Sequence, residues 1–87
     1  MSQLVRLAGE YDLTRKDEIA ALFDSLAQNG AIVIDLRDVT YLDSTVLREL
    51  AKLRVRNDSP IELRGPSERI RRILNIAQFD ELFSVTE

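Results

Sequence analysis

The chain has 87 residues, a formal net charge of −3 and a pI of about 4.9. This length allows one hydrophobic core, so we predict a single domain over residues 1–87. The acidic balance argues against a general nucleic-acid binder, because such proteins carry a basic face. The chain contains no Cys and no His, which excludes disulfides, Cys nucleophiles, Ser-His-Asp catalysis and most zinc sites.

No apolar run approaches the length of a membrane span, and the N-terminal sequence lacks the apolar segment of a signal peptide. The expected location is therefore the cytosol. Carboxylates for acid–base catalysis would have to come from residues that short α/β domains use as helix caps and turn formers. We therefore predict no catalytic site, no metal and no cofactor. The acidic residues considered are Glu10, Asp12, Asp35, Asp38 and Asp43.

A strand at residues 4–8 and a helix at residues 15–28 are the first predicted elements. Gly9 is expected to end the strand, and Thr14 is the expected N-cap of the helix. The Asn-Gly pair at 29–30 supplies a helix stop, since Gly adopts the left-handed conformation at helix ends. The apolar side chains of this helix recur at one-turn spacing. They are Ile19, Leu22, Phe23 and Leu26.

An apolar-rich stretch at residues 31–36 predicts a buried central strand, of the kind that helices cover on both faces. A short polar loop is expected to lead from it to an amphipathic helix that begins near Asp43 or Ser44. With Asp43 as N-cap, Leu42 and Leu47 occupy the N′ and N4 positions of a hydrophobic staple. The predicted buried stripe of this helix is Val46, Leu47, Leu50 and Leu53. The residues predicted to face solvent are Arg48, Glu49, Lys52 and Arg56.

The alternating sequence at residues 61–64 predicts a more exposed strand. Ser67 is the expected N-cap of a third helix, and residues 79–85 are expected to form a loop and a short last strand. The alternation of strands and helices predicts an α/β fold. Its sheet is expected to be small, mixed and mostly parallel, with helices packed on it through right-handed crossovers.

Ser44 and Thr45 lie where the second helix begins, and two uses for them remain open. In the first, they only cap the helix, which is the commonest role of hydroxyl residues there. In the second, Ser44 is a phosphorylation switch, because a phosphoryl group adds about −1.5 to −2 charges at a helix N-terminus that tolerates them. With Asp43, Asp38 and Asp12 as expected neighbours, that added charge would repel a docked partner without a change of fold.

Several segments resemble the STAS domain, the fold of bacterial anti-sigma factor antagonists. Residues 7–12 (LAGEYD) are similar to the family's G-E-[LIFY]-D segment after its first strands. Residues 32–36 (IVIDL) and 39–45 (VTYLDST) resemble its hallmark, a strand and loop that lead to D-S-[ST]-G at a helix start. The resemblance continues through Pro66 and the third helix to Phe83, so it covers nearly the whole chain.

The resemblance implies an anti-sigma factor antagonist that acts in transcription regulation as a binding protein and not an enzyme. Its implied partners are an anti-sigma factor with serine kinase activity, which only the unphosphorylated protein binds, and a PP2C-type phosphatase that resets it. By motif, Ser44 is the implied phosphoacceptor, with Thr45 as second candidate. The implied partner-binding residues are Asp12, Asp43, Ser44, Thr45, Val46 and Arg48.

The chain departs from the family pattern at two places. Val46 stands where the family has Gly, and its β-branched side chain is expected to fill space that Gly leaves open to a partner. Family members usually continue past the position of Glu87 into a C-terminal helix, so an uncovered apolar patch is expected near Phe79, Leu82 and Phe83. Both departures favour an alternative, an unphosphorylated scaffold in a stress-sensing complex or a regulatory subunit beside the ATPase of a lipid transporter.

Overall fold

The computed structural model describes residues 3–26 and 30–87. Within these ranges the chain forms four β-strands and three α-helices in alternation, which confirms the predicted α/β fold. They are β1 (Gln3–Tyr11), α1 (Lys16–Asp24), β2 (Ile32–Leu42), α2 (Ser44–Arg56), β3 (Ile61–Arg64), α3 (Glu68–Ile76) and β4 (Ser84–Thr86). In the same ranges, no helix is long and apolar enough to cross a membrane.

The four strands form one sheet in the order β1-β2-β3-β4, and each neighbouring pair is parallel. One register row that crosses the whole sheet contains Val5, Ile34, Leu63 and Val85. Parallel neighbours joined by right-handed crossovers place all the connecting helices on the same face. The strand residues on that face pack with the apolar sides of the helices in one hydrophobic core.

The opposite face of the sheet carries mostly polar side chains in the described part of the chain, with Leu4 and Val33 as apolar exceptions. A register row on this face contains Arg6, Asp35, Arg64 and Thr86. The Arg64 Nε and the Thr86 hydroxyl each donate to the Glu62 carboxylate at 2.8 Å. These hydrogen bonds hold the pKa of Glu62 below its usual range, and the bond from Arg64 has the larger effect. Helices therefore cover β2 on one face only, and the prediction of cover on both faces is wrong.

β1 and β2 are longer than predicted. A glycine in β1 and a polar segment in β2 predict strand ends, but both lie inside the strands. β1 passes through Gly9, whose φ of 86° is left-handed, and ends at Tyr11. β2 continues beyond Leu36 to Leu42, so the predicted polar loop is strand. The register between the two strands shifts at two points, between Arg6 and Ala8 and between Gly9 and Glu10. Each shift disturbs the alternation by which the sequence would have revealed the strand.

α1 is shorter than predicted and has a different cap. A 3-10 turn over Leu13–Arg15 precedes it, and the side chain that caps this turn is Asp12, so the prediction of Thr14 as N-cap is wrong. The predicted helix end and the Asn-Gly stop fall partly on residues 27–29, which lie outside the described residues. The predicted apolar stripe packs as expected, with two residues fully buried and two half-buried. These are Ile19 and Phe23, and Leu22 and Leu26.

The third helix begins as predicted, but the strand before it is less exposed. Ser67 caps α3, since its hydroxyl accepts the backbone N–H of Ile70 at 3.2 Å. β3 is an inner strand, and its Ile61 and Leu63 are at most 1% exposed. The prediction of a more exposed strand at 61–64 is therefore wrong.

The apolar side chains near the end of the chain are mostly covered. Phe79 and Phe83 are buried, with their ring centroids 5.4 Å apart. Leu82 is 48% exposed, but its carbonyl accepts a hydrogen bond from Arg54 Nε of α2 at 2.9 Å. The expectation of an uncovered patch at Phe79, Leu82 and Phe83 is wrong, because the chain turns both rings into the core before it enters β4.

Candidate functional site

β1 and β2 end side by side at the carboxyl edge of the sheet. Tyr11 pairs with Leu42, and the backbone N–H of Asp43 donates to the Tyr11 carbonyl at 3.2 Å. Asp12 and Asp43 therefore leave the sheet as neighbours, and a helical segment follows each of them. Since α1 and α2 also pack against each other, residues of both helices surround the start of α2, where Ser44 lies.

Asp43 is the N-cap of α2, as predicted. Its carboxylate accepts the N–H of Thr45 at 2.9 Å and the N–H of Val46 at 3.4 Å. Ser44 is exposed, and its hydroxyl forms no hydrogen bond within the described residues. The capping role considered for Ser44 and Thr45 therefore belongs to Asp43, and the Ser44 hydroxyl is left unengaged at the surface.

Asp12 lies beside Asp43, but its carboxylate is engaged by its own turn. It accepts the Thr14 N–H at 2.9 Å and the Thr14 hydroxyl. The hydroxyl bond is the main cause that lowers the pKa of Asp12. Asp38, another acid expected near Ser44, pairs with Ala8 four residues before the end of β2. At the usual rise per residue it lies roughly 13 Å from that end, too far back to add charge at the start of α2.

A recess of about 160 Å³ opens beside Ser44, between the first turns of α1 and α2. Its lining residues are Leu13, Lys16, Ser44, Thr45, Arg48 and Glu49. Lys16 is the first residue of α1, and Arg48 lies one turn after Ser44 on α2. Both cations are exposed and form no ion pair within residues 3–26 and 30–87. The recess thus presents two hydroxyls and two uncompensated positive charges.

Glu49 lines the recess instead of facing solvent. It is 8% exposed, so the prediction that it points outward is wrong. The Lys52 ammonium lies 3.6 Å from its carboxylate and compensates its charge. The recess is therefore lined by two cations that form no ion pair in the described residues and by one acid that already has a cationic partner.

Val46 is 0% exposed and belongs to the core. Two residues after Ser44, its side chain points about 200° around the helix from the serine. The expectation that Val46 contacts a partner, or fills space that a partner needs, is therefore wrong. Its β-branched side chain fills space between the helix and the sheet.

Three residues of the recess were not among the predicted site residues: Leu13, Lys16 and Glu49. Two of them lie on the first helical segment, some 30 residues before Ser44 in the sequence. The signal that could have found them is topological. Adjacent parallel strands deliver the helices that follow them to the same edge of the sheet, so the first turn of α1 had to lie next to the first turn of α2.

A larger depression of about 440 Å³ lies near the start of α3. It is lined by Arg37, Gly65, Pro66, Glu68, Arg71 and Glu87. Its two arginines share the depression with two acids, and Arg71 also donates to the Thr86 carbonyl at 3.3 Å. The sequence motif and the uncompensated charge coincide only at the recess beside Ser44 in the described part of the chain.

Fold and site together define a two-layer α/β domain that presents an exposed serine at the start of its second helix. The family model described as "Mlab, STAS domain" matches residues 2–85. The chain belongs to the STAS domain family. The resemblance stated from the sequence is therefore confirmed.

Curated relatives of similar length support the same family. The chain is 30% identical over 86 residues to a STAS-domain containing protein of Pseudomonas aeruginosa (strain UCBPP-PA14), covering 94% of this chain and 85% of the relative. It is 31% identical over 88 residues to the anti-sigma-B factor antagonist of Staphylococcus aureus (strain NCTC 8325). This match covers 95% of this chain and 82% of the relative.

A solved structure matches over nearly the whole chain. The SulP transporter STAS domain from Vibrio cholerae superposes with a TM-score of 0.68 and 16% sequence identity. The match covers 99% of this chain and 73% of that one. At this identity the likeness shows the fold alone.

Proposed function

We propose that the chain is an anti-sigma factor antagonist controlled by phosphorylation of Ser44. Unphosphorylated, it binds an anti-sigma factor that is also a serine kinase, and this binding frees the sigma factor. The kinase transfers the terminal phosphoryl group of a nucleoside triphosphate to the Ser44 oxygen and releases the diphosphate and the hydroxyl proton. The complex then separates, and a PP2C-type phosphatase restores the serine by hydrolysis.

One observation carries this proposal: the Ser44 hydroxyl is exposed and unbonded in the described structure, while Asp43 caps the helix. A serine that is not needed for the fold can be modified without a cost in stability. The name of the Staphylococcus aureus relative, an anti-sigma-B factor antagonist, supports an anti-sigma factor as partner. The proposed contact surface is the edge formed by Asp12, Asp43, Ser44, Thr45 and Arg48, extended by Lys16.

Charge is the proposed means of release. A phosphoryl group adds about −1.5 to −2 charges at pH 7, beside the carboxylates of Asp12 and Asp43. A partner that meets this edge would face that charge at close range, and like-charge juxtaposition across an interface costs several kcal/mol. No change of fold is required for the complex to separate.

The test is binding of Ser44 variants to the anti-sigma factor kinase from the same cell. We expect Ser44→Ala to bind like wild type and to resist phosphorylation, whereas Ser44→Asp loses binding and keeps a melting temperature close to that of wild type. Thr45→Ala serves as the matched control and should remain a substrate. Mass spectrometry after incubation with kinase and ATP locates the phosphate.

Equal binding by wild type and Ser44→Asp would overturn the switch. Stable co-purification with an ATPase or scaffold, independent of the residue at 44, would instead support the structural-subunit alternative. A phosphate found on Thr45 alone would move the site by one residue and reject Ser44 as the acceptor.

A further inference from the structure

Two cations of the recess lie on different helices, and both flank the Ser44 side chain. Arg48 is four residues after Ser44 on α2, so the two side chains are neighbours on the helix surface, with about 5–6 Å between their Cβ atoms. Lys16 lines the same recess from the first turn of α1. A group attached to the Ser44 oxygen would therefore share the recess with an ammonium and a guanidinium.

Most other cations that project from these two helices have partners within the described residues. Arg15 forms an ion pair with Glu18, and Lys52 forms one with Glu49 at 3.6 Å. A further ion pair joins Arg56 to Asp24 at 2.7 Å. Lys16 and Arg48 have no such acid, although each projects into a recess where an anion of phosphate size would be accommodated. Within the described residues, the acid that lines the recess with them, Glu49, is paired with Lys52.

The first N–H groups of α2 are only partly available to a phosphate. Asp43 already accepts the N–H groups of Thr45 and Val46. A phosphoryl group on Ser44 would therefore also use side chains for its hydrogen bonds. Lys16 and Arg48 are the cationic donors that line the recess.

We propose that Lys16 and Arg48 bind the phosphoryl group of phosphorylated Ser44 within the same molecule. This inference rests on the proposed modification of Ser44 and adds how the modified state is held. The phosphate bridges the two helices, fills the recess, and takes both cations away from any acidic side chain of the partner. Release then has a second cause besides repulsion, because the partner loses a recess and two positive contacts at once.

The test uses the full chain with phosphoserine installed at position 44 by chemical ligation or by cotranslational incorporation, so that no kinase is needed. The readout is the pKa of the phosphate, followed by 31P NMR between pH 4 and pH 8. Bound to two cations, the dianion is favoured, and we expect a pKa at least about 0.5 below the ordinary value of about 6. Lys16→Gln with Arg48→Gln should remove that decrease, and Arg72→Gln, which removes an exposed cation of α3 outside the recess, should leave it in place.

An unchanged phosphate pKa in the double variant, compared with the unmutated phosphoprotein, would overturn the proposal. If the double variant did not fold, the side-chain 1H–15N signals of Lys16 and Arg48 in the unmutated phosphoprotein decide the question. We expect both signals to move with the phosphate titration, and constant signals would reject the contact. This outcome is separate from that of the proposed function, which fails if a kinase does not modify Ser44 or if binding ignores the modification.

Discussion

The carboxylate of Asp43 accepts the backbone N–H of Thr45 at 2.9 Å and so caps the second helix. The residue between these two contributes nothing to the cap. Ser44 is consequently exposed at a helix start whose own requirements are already met. Because Asp43 alone caps the helix, Ser44 can be chemically modified without a loss of folding stability.

Removal of the cap should therefore cost stability, while removal of the serine hydroxyl should not. We expect Asp43→Ala to lower the free energy of unfolding by about 1 kcal/mol, because two backbone N–H groups lose their acceptor. Ser44→Ala, the matched control one residue away, should change it by less than about 0.5 kcal/mol. Urea unfolding followed by circular dichroism measures both values. A loss of stability in Ser44→Ala equal to that in Asp43→Ala would mean that the serine is structural.

Val46 should behave as a core residue and not as a contact residue. We expect Val46→Ala to lower the free energy of unfolding by about 2 kcal/mol, since two buried methyl groups are lost and a cavity remains. Val55→Ala is the control on the same helix, because Val55 is 87% exposed and should change stability little. Urea unfolding of both variants checks the difference. Loss of partner binding in a Val46→Ala protein that is still fully folded would contradict this assignment.

The Tyr11 hydroxyl should protect the free edge of β1. It accepts the backbone N–H of Ala8 at 3.0 Å, and β1 is an edge strand of the sheet. We expect Tyr11→Phe to cost about 1 kcal/mol, because the ring stays buried but the N–H loses its acceptor. Tyr41→Phe is the control, since Tyr41 is 42% exposed and should show almost no change. Hydrogen exchange at the Ala8 amide should speed up only in Tyr11→Phe.

Glu62 should make the fold sensitive to acid. Its hydrogen bonds to Arg64 and Thr86 hold its pKa below the ordinary value of 4.5 in the folded state. The stabilisation is therefore fully present above pH 4.5 and is lost as the pH falls through the lower folded-state pKa. We expect wild type to be more stable than Glu62→Gln at pH 7, with the difference shrinking toward zero as the pH falls from 4.5 through the lower folded-state pKa. Melting temperatures of both proteins across this range measure it.

Glu81→Gln is the control for the acid prediction, because Glu81 is exposed and forms no ion pair in the described ranges. Its melting curve should follow that of wild type at every pH. A pH-independent difference between wild type and Glu62→Gln would show that Glu62 acts by packing and not through its charge.

Local features that depend on neighbouring residues were predictable from the sequence. Asp43 and Ser67 cap α2 and α3, because a short polar side chain directly before a helix accepts hydrogen bonds from the first backbone N–H groups of that helix. The order of strands and helices follows in the same way from changes in hydrophobic period. The motif around Ser44 then indicated the family, and the family model matching residues 2–85 agrees with it.

Features that depend on what lies across the fold were decided only by the tertiary structure. Glu49 looks like an exposed helix residue in sequence, but it is buried in a helix that packs against α1. Val46 looks like an obstacle to a partner, but the helix turns it into the core. Lys16 lies close to Ser44 only because β1 and β2 pair in parallel, which brings the starts of both helices to one edge of the sheet. The sequence alone determined the order of helices and strands and the caps of α2 and α3, because those preferences are local. Which charges meet at the candidate site was decided by the register of two strands, because contacts between distant residues exist only once the sheet has formed.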